Sequence, residues 1–200
     1  MSDDLHFYFD FMSPFSYLAF NRVPSIARRH GLGLAFHLVD LPKLKKLAGN
    51  TGPANVSIPI KIAYLRKDLD RWAACYGVPL VFPKSLDVAA VNAAAIFVNG
   101  AVKPERIARF VRIAWDEIWG EGADPTDPGI IERAARGIGL DPLPVLNFSR
   151  SEAAANELAR ATEAANAAGV FGAPTMIVGR EMWWGNDRLD LMDFALSTGR

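Results

Sequence analysis

The stretch Leu5-His6-Phe7-Tyr8-Phe9-Asp10-Phe11-Met12-Ser13-Pro14-Phe15-Ser16-Tyr17-Leu18-Ala19-Phe20 joins an aromatic run directly to a Ser-Pro-x-Ser motif and an apolar helical pattern. Aromatic or apolar side chains occupy nearly every second position of residues 5–11, which predicts a half-buried β-strand. Proline is favoured at the first position of a helix, so Pro14 predicts that Ser13 is the N-cap. Because the first N–H groups of a helix are unpaired and electropositive, we expect an anion to bind beside Ser13 and place the active site there.

The composition limits the classes of partner. The chain has 200 residues, half of them hydrophobic, with 22 basic and 22 acidic side chains. This length fits one core with a large insertion. The balanced charge provides no field that would attract nucleic acid or an anionic membrane, so a small molecule or another subunit is the expected partner. No window approaches the ~20 apolar residues of a membrane span and no signal peptide is recognisable, so we expect a cytoplasmic protein.

Cysteine and histidine give no indication of disulfide or metal chemistry. Cys75 is the single cysteine and cannot form an internal disulfide. Its apolar and aromatic neighbours predict a buried, inert thiol at the end of a helix. His6 and His37 lie in apolar strand patterns, too few and wrongly spaced for a metal site, so we interpret both as structural and expect no metal.

The rest of the chain predicts an α/β fold in which a helical segment interrupts a βαβ unit and a ββα unit. A helix over residues 14–30, ended by Gly31, connects the first strand to a parallel strand over residues 34–39. Near the C-terminus, strands before and after Gly179-Arg180 predict a hairpin, followed by a last helix after Asn186-Asp187.

Helical patterns dominate the middle of the chain. A short helix is expected within residues 40–59, and longer helices are expected over residues 58–77, 88–98, 104–119 and 127–136. Ser149-Arg150-Ser151-Glu152 is typical of a capping box and predicts an alanine-rich helix reaching about residue 168. We therefore predict one domain formed by residues 1–41 and 169–200, and an all-helical insertion over residues 42–168.

Three motifs could converge on one site. Ser13-Pro14-Phe15-Ser16 opens the first helix, and Gly185-Asn186-Asp187-Arg188 opens the last. Between them in sequence, Ala173-Pro174 enters a strand, where proline lacks the N–H of a ladder donor. A cis bond before Pro174 would turn the neighbouring backbone toward a ligand.

In order and type, these elements resemble the thioredoxin-like (DsbA-like) fold with a helical insertion. Ser13-Pro14-Phe15-Ser16 stands where such oxidoreductases carry Cys-Pro-x-Cys, and hydroxyl groups cannot perform dithiol exchange. More closely, the chain resembles the 2-hydroxychromene-2-carboxylate isomerases, which are related to kappa-class glutathione transferases. The resemblance rests on Glu181-Met182-Trp183-Trp184-Gly185-Asn186-Asp187-Arg188-Leu189 and on residues 10–19, 49–55, 71–73 and 119–122.

The resemblance implies glutathione as the cofactor and a homodimer as the assembly. Ser13 would be the catalytic residue, and the implied glutathione-binding residues are Ser13, Pro14, Phe15, Ala173, Pro174, Asn186 and Asp187. Reversible addition of the glutathione thiolate would interconvert 2-hydroxychromene-2-carboxylate, or a close ring analogue, and trans-o-hydroxybenzylidenepyruvate in aromatic hydrocarbon catabolism such as naphthalene degradation. Lowering a thiol pKa of about 8.5 by two units requires roughly 2.7 kcal/mol. A hydroxyl hydrogen bond to a charged acceptor supplies about 1.5–3 kcal/mol and a helix N-terminus adds roughly 0.3–1 kcal/mol, so Ser13 at an N-cap is sufficient in principle.

The implied substrate carries a carboxylate and an aromatic ring. We therefore expect it to contact a cation, amides and flat side chains. Positions near the family motifs indicate Asn55, Lys61, Tyr64, Trp183 and Trp184. Because Trp183 and Trp184 alternate on a strand, at least one should face the core.

Other interpretations remain open at this point. A kappa-like transferase that conjugates glutathione to electrophiles is one alternative, and a redox-inactive DsbA-like binding module is another. Ser13 could also be only a helix cap, worth about 1 kcal/mol.

Overall fold

The computed structural model describes residues 4–199 and contains one mixed four-stranded sheet. Residues 1–3 and 200, which the predicted domain ranges include, lie outside the described residues. The strands are β1 (Leu5–Phe9), β2 (Leu34–Leu38), β3 (Thr175–Val178) and β4 (Glu181–Trp184), in the spatial order β2-β1-β3-β4. β1 pairs parallel with β2 and antiparallel with β3, and β3 pairs antiparallel with β4. The predicted parallel pair and C-terminal hairpin are thus confirmed.

Helices occupy most of the chain between β2 and β3, as the sequence predicted. The helices along the chain are α1 (Pro14–Phe20), α2 (Val23–Arg29), α3 (Leu41–Leu47), α4 (Pro59–Tyr76), α5 (Ala89–Ala101), α6 (Pro104–Trp115), α7 (Pro128–Gly137), α8 (Pro142–Ser149), α9 (Glu152–Ala167) and α10 (Leu189–Thr198). Single 3₁₀ turns cover Asn55–Ser57 and Asn186–Arg188, and a π-helical turn covers Asp116–Gly120. No helix within residues 4–199 has the length and apolar content needed to cross a bilayer.

β1 lies inside the sheet and is covered on both faces. Phe7 and Phe9 are fully buried and pack against Trp115 of α6, with ring centroids 6.4 and 4.9 Å apart. Tyr8, which points to the other face, packs with Val39 and other residues of a smaller cluster. The prediction of a half-buried strand was therefore wrong, because helices cover the face that was expected to meet solvent.

The predicted helix over residues 14–30 is two helices that break at Asn21 and Arg22. The Asn21 side chain donates to the Tyr17 carbonyl oxygen (2.9 Å), while its backbone N–H bonds Leu18 O instead. Pro24 also lacks the N–H that a continuous helix would direct to the Phe20 carbonyl. The predicted end is confirmed, since Gly31 has a left-handed φ of 67°.

The helical region differs from the prediction at two points, the start of α9 and the presence of α8, although α9 ends at Ala167 as expected. The N-cap of α9 is Ser151, whose hydroxyl accepts from Ala154 N (3.2 Å), whereas Ser149 ends α8. α8 was missed because its Pro-Leu-Pro start is typical of a loop, but Asp141 caps it and Pro142 occupies its first turn. Residues 104–119 are helical as predicted, except that the last part is the π-helical turn.

Cys75 is exposed, contrary to the prediction of a buried thiol. It lies in the last turn of α4, a surface helix that buries only Leu69 and Ala73 among its side chains. Cys75 is two positions beyond Ala73, and this spacing places it on a different face of the helix.

His6 and His37 form a hydrogen-bonded pair across β1 and β2. The His6 Nδ1 and His37 Nε2 atoms are 2.9 Å apart, and the His37 ring stacks on Tyr8 at 4.4 Å. Burial, and secondarily the neighbouring His6, lowers the pKa of His37 to about 4. His37 is therefore neutral in the folded protein at physiological pH.

We expect His37 to destabilise the fold in mild acid. Between pH 6.5 and about 4 the unfolded chain takes up a proton at His37 that the folded protein does not, so the free energy of unfolding decreases as the pH falls. In the wild type, the free energy of unfolding should fall by roughly 3 kcal/mol over this range because of His37. In His37→Gln, urea unfolding should show no such decrease.

The matched control is His6→Gln. Its free energy of unfolding should keep most of the pH dependence, because burial is the main cause of the lowered pKa of His37. Asp10 contributes the opposite slope because its pKa is raised to about 6, but it is present in all three proteins. Identical pH dependence in the wild type and His37→Gln would contradict the prediction.

Candidate functional site

The Ser13 hydroxyl caps α1 as predicted. Its Oγ accepts a hydrogen bond from Ser16 N (3.2 Å), and Pro14 occupies the first turn. The backbone N–H of Ser13 in turn bonds Asp10 O (3.0 Å), which closes a tight turn between β1 and α1. Ser13 is 4% exposed, so its hydroxyl is held at the inner end of the site.

The Ala173–Pro174 motif lies against Ser13. The peptide bond between the two residues is cis. Ser13 Oγ lies 3.5 Å from Ala173 O, at the outer limit of a hydrogen bond. Pro174 O accepts from Gly185 N (2.9 Å), which connects this segment to the third motif. The structure therefore brings the three predicted motifs together.

Asn186 and Asp187 differ sharply in their surroundings. Asn186 is 3% exposed, and its carbonyl oxygen accepts from the Tyr76 hydroxyl (3.0 Å). Its Nδ2 group is buried and has no hydrogen-bond partner among residues 4–199. Asp187 is exposed and pairs with Arg188. A buried amide donor and an exposed carboxylate thus lie on one 3₁₀ turn.

An aromatic surface from α4 adjoins the Ser-Pro motif. Trp72 and Tyr76 pack with their ring centroids 5.4 Å apart, and Phe15 packs into the same cluster. Burial raises the pKa of the Tyr76 hydroxyl, which remains a donor to Asn186 O. In the sequence, the Trp72 region is recognisable only as a family motif, and Tyr76 has no predicted role.

The five predicted substrate-binding residues fall into two groups. Lys61 Nζ donates to Asn55 Oδ1 (3.2 Å), and the exposed Tyr64 lies one turn further along α4. Within the described part of the chain, no hydrogen bond or aromatic contact joins this group to Ser13.

The second group is on β4, beside the loop that precedes Pro174. Trp183 is 9% exposed in the main hydrophobic core, so one of the two tryptophans faces the core as expected. Trp184 is 52% exposed and packs on Phe171 at 5.1 Å. A Cβ atom at Gly172 would lie 2.6 Å from Trp184 Nε1, so the absence of a side chain there lets the indole lie over the loop.

Asp10 and Asn92 are two buried polar residues behind Ser13 for which the sequence predicted no role. The Asp10 carboxylate accepts from Leu41 N, Met12 N and Asn92 Nδ2. Burial raises its pKa to about 6, against the opposing effect of these three donors. A single asparagine among the alanines and valine of residues 89–95 was the signal available in the sequence.

Among residues 4–199, no three His, Cys, Asp or Glu side chains are grouped so that they could hold a metal ion.

Comparison with known proteins assigns the family. A family model described as a DSBA-like thioredoxin domain matches residues 4–197. A 2-hydroxychromene-2-carboxylate isomerase from Sphingobium xenophagum is 43% identical over 196 residues, which cover 98% of this chain and 99% of that protein. The chain belongs to the 2-hydroxychromene-2-carboxylate isomerase family, within the DSBA-like thioredoxin domains.

Solved structures agree with this assignment. A 2-hydroxychromene-2-carboxylate isomerase structure superposes with a TM-score of 0.90 at 38% identity, covering 97% of this chain and 94% of that one. The cytosolic disulfide reductase DsbM from Pseudomonas aeruginosa with GSH, at 19% identity, has a TM-score of 0.63 over 98% of each chain and shares the fold. The predicted α/β thioredoxin-like fold with a helical insertion is confirmed.

A more distant relative is glutathione S-transferase kappa 1 from Rattus norvegicus. It is 27% identical over 205 residues, covering 96% of this chain and 90% of that protein. The relation to kappa-class transferases that the sequence motifs indicated is therefore confirmed.

The bond from Tyr76 to Asn186 should contribute measurably to stability. Tyr76→Phe removes one of the two donors to the buried Asn186 carbonyl oxygen, which keeps its bond from Leu189 N, so we expect the free energy of unfolding to fall by about 1 kcal/mol. Chemical denaturation measures this change. Tyr64→Phe, on the same helix but 59% exposed, is the control and should leave the free energy unchanged. Equal effects of the two substitutions would contradict this role.

Proposed function

We propose that the protein is a glutathione-dependent isomerase that interconverts 2-hydroxychromene-2-carboxylate, or a close ring analogue, and trans-o-hydroxybenzylidenepyruvate. The observation that carries this proposal is the contact between the Ser13 hydroxyl and the backbone before cis-Pro174, in a chain 43% identical to a protein with that isomerase name. A role in aromatic hydrocarbon catabolism and a homodimeric assembly belong to the same proposal.

The residues around Ser13 fit glutathione. Glutathione offers a thiol, two carboxylates, an ammonium group and peptide amides, and the site offers partners for these groups. Ser13 supplies a hydroxyl donor, Ala173 supplies backbone groups, and Asp187 supplies an exposed carboxylate for the ammonium group. The buried Asn186 Nδ2, which has no protein partner, supports a ligand acceptor at this position, because a buried amide donor is normally hydrogen-bonded.

When bound, glutathione would supply a thiolate that adds reversibly to the conjugated double bond of the substrate. The task of Ser13 is to hold a proton at Oγ and donate it as a hydrogen bond. Its lone pair already accepts from Ser16 N, and its distance of 3.5 Å to Ala173 O leaves the proton only weakly bound. A hydroxyl bond to a charged acceptor supplies about 1.5–3 kcal/mol, comparable with the roughly 2.7 kcal/mol that two pKa units require.

The side chains beside Ser13 suit an aromatic carboxylate. Phe15, Trp72 and Tyr76 form an apolar surface that excludes water from one side. Trp184 exposes a flat indole on the other segment, next to Gly172. We propose that the Lys61–Asn55 pair and Tyr64 bind the substrate carboxylate from the start of α4, and that Trp183 supports Trp184 from the core.

Replacing Ser13 by alanine should lower turnover at least about tenfold, because a hydroxyl bond to a charged group is worth about 1.5–3 kcal/mol. Turnover is measured with glutathione and hydroxychromene carboxylate by following the absorbance of the isomer. Ser25→Ala is the matched control, since this exposed serine of α2 donates only to Arg22 O. Circular dichroism checks that both variants are folded; unchanged turnover in folded Ser13→Ala would exclude the proposed role of Ser13.

Product analysis in the same assay distinguishes isomerisation from transfer. The kappa-class relative favours conjugation of glutathione to electrophiles as the second candidate function. Isomerisation regenerates free glutathione, whereas a conjugate that accumulates with time would favour the transferase.

Calorimetry tests the cofactor itself. We expect glutathione to bind, and Asp187→Asn to weaken binding by about tenfold, because it removes a charged acceptor from the ammonium group. Asp190→Asn, three residues away and paired with Arg22, is the control and should keep the wild-type affinity. Absence of binding to the wild type at millimolar concentration would instead support a redox-inactive binding module.

A further inference from the structure

The turn from Asp10 to Ser13 connects the innermost strand to the helix that carries the proposed catalytic hydroxyl. Ser13 N bonds Asp10 O (3.0 Å), and Met12 N bonds Asp10 Oδ1 (3.0 Å). These two bonds close the turn from within. Phe11 is fully buried, and neither of these bonds involves its backbone N–H or C=O group. Both groups therefore need hydrogen-bond partners from outside the turn.

Both partners of Phe11 come from the helical insertion. Phe11 N donates to Asn92 Oδ1 of α5 (3.2 Å), and Phe11 O accepts from Trp119 Nε1 of the π-helical turn (2.8 Å). Since a buried backbone group without a partner is strongly disfavoured, these bonds determine where the turn can lie.

The Asp10 carboxylate is the second anchor of the turn. It is 1% exposed and accepts from Asn92 Nδ2 (2.9 Å) and from Leu41 N at the start of α3 (2.8 Å), in addition to Met12 N. All three atoms that face the carboxylate are donors, so the ionised form fits the site. The pKa of Asp10 is about 6, which leaves it ionised at neutral pH.

Asn92 therefore uses both ends of its amide on this turn. Its Oδ1 binds the backbone of Phe11 and its Nδ2 binds the side chain of Asp10, across more than 80 residues of sequence. The other residues of α5 around it are buried alanines and valines. Asn92 is 2% exposed and lies behind the turn, so it acts on the site only through the turn.

We propose that Asn92 is a positioning residue that, by bonding Asp10 and Phe11 together, holds the turn so that the Ser13 hydroxyl faces Ala173. The effect on turnover rests on the proposed function, whereas the effect on the geometry of Ser13 does not. Displacing a catalytic group by about 1 Å can reduce a rate about a hundredfold, so a small shift of this turn is sufficient to matter.

The first variant is Asn92→Leu, which keeps the shape of the side chain but removes both bonds. We expect kcat to fall at least tenfold, with a much smaller change in the KM for glutathione, because Asn186 and Asp187 are not moved. In amide NMR spectra the Ser16 N–H, which donates to Ser13 Oγ, should shift.

Asn99→Leu is the matched control on the same helix: Asn99 Nδ2 donates to Phe36 O (3.0 Å) on β2, away from the turn. It should leave kcat and the Ser16 resonance unchanged.

The second variant is Asn92→Asp. If Asn92 had only a structural role, the effect of this substitution on kcat would not depend on pH. At about pH 8 the substitution places a second carboxylate against Asp10, and repulsion should displace the turn. When the pH falls toward the pKa of the pair, a shared proton restores a donor toward Asp10 and an acceptor for Phe11 N. The other charged group that bears on Asp10 is Asp40, whose charge also raises the pKa; Asn92 and Trp119 are neutral. The ratio of variant to wild-type kcat should therefore rise toward one between about pH 8 and pH 5.5.

The outcomes separate the two proposals. If the wild type is active, and Asn92→Leu has the same kcat and an unshifted Ser16 resonance, the positioning role is wrong and the proposed function stands. A pH-independent ratio for Asn92→Asp would also overturn the positioning role, and decides the question if Asn92→Leu does not fold. If the wild type neither binds glutathione nor isomerises the substrate, the proposed function fails, and the Ser16 resonance still decides whether Asn92 positions Ser13.

Discussion

The packing of β1 against Trp115 is the contact on which the rest of the molecule depends. The indole lies among the rings of Phe7, Phe9, Phe11 and Phe20, so α6 of the insertion completes the core of the sheet. The hydrophobic burial of these rings is a dominant contribution to the folding free energy, and the hydrophobic effect itself is non-directional. The hydrogen bonds of Asn92 and Trp119 to Phe11 are directional, and they orient the turn after β1 that carries Ser13. Core and site are therefore built by the same helices.

Ser13 and Ser16 both lie at the start of α1 but differ in their surroundings. Ser13 occupies the N-cap position and lies against the segment of cis-Pro174, which agrees with the proposed binding of glutathione. Ser16 is fully buried, and its Oγ has no hydrogen-bond partner among the described residues. Of the two hydroxyl groups, that of Ser13 lies against the Ala173 carbonyl oxygen. This contact agrees with the proposal that the sulfur comes from bound glutathione.

Local patterns in the sequence predicted the elements that depend on local physics. The aromatic run of β1, the cap at Ser13 and the left-handed end of α4 at Gly77 all follow from short-range preferences. The break between α1 and α2 was missed because it requires the Asn21 side chain to take the Tyr17 carbonyl, which competes with a continuous helix. Asp10, Asn92 and Tyr76 were missed for another reason: their partners lie about 30 to 110 residues away, and spacing along the chain carries no information on such contacts.

The two edges of the sheet have a consequence for association between molecules. An open edge strand presents unpaired backbone groups that can recruit a strand from another chain. On β2 the Asn99 amide occupies the outward Phe36 carbonyl, and α5 and α9 flank the strand. On the opposite edge, β4 has only four residues and begins with a charged Glu181. Intermolecular β-pairing is thus disfavoured at both edges, which directs any self-association of this protein to side-chain surfaces rather than to an extended sheet.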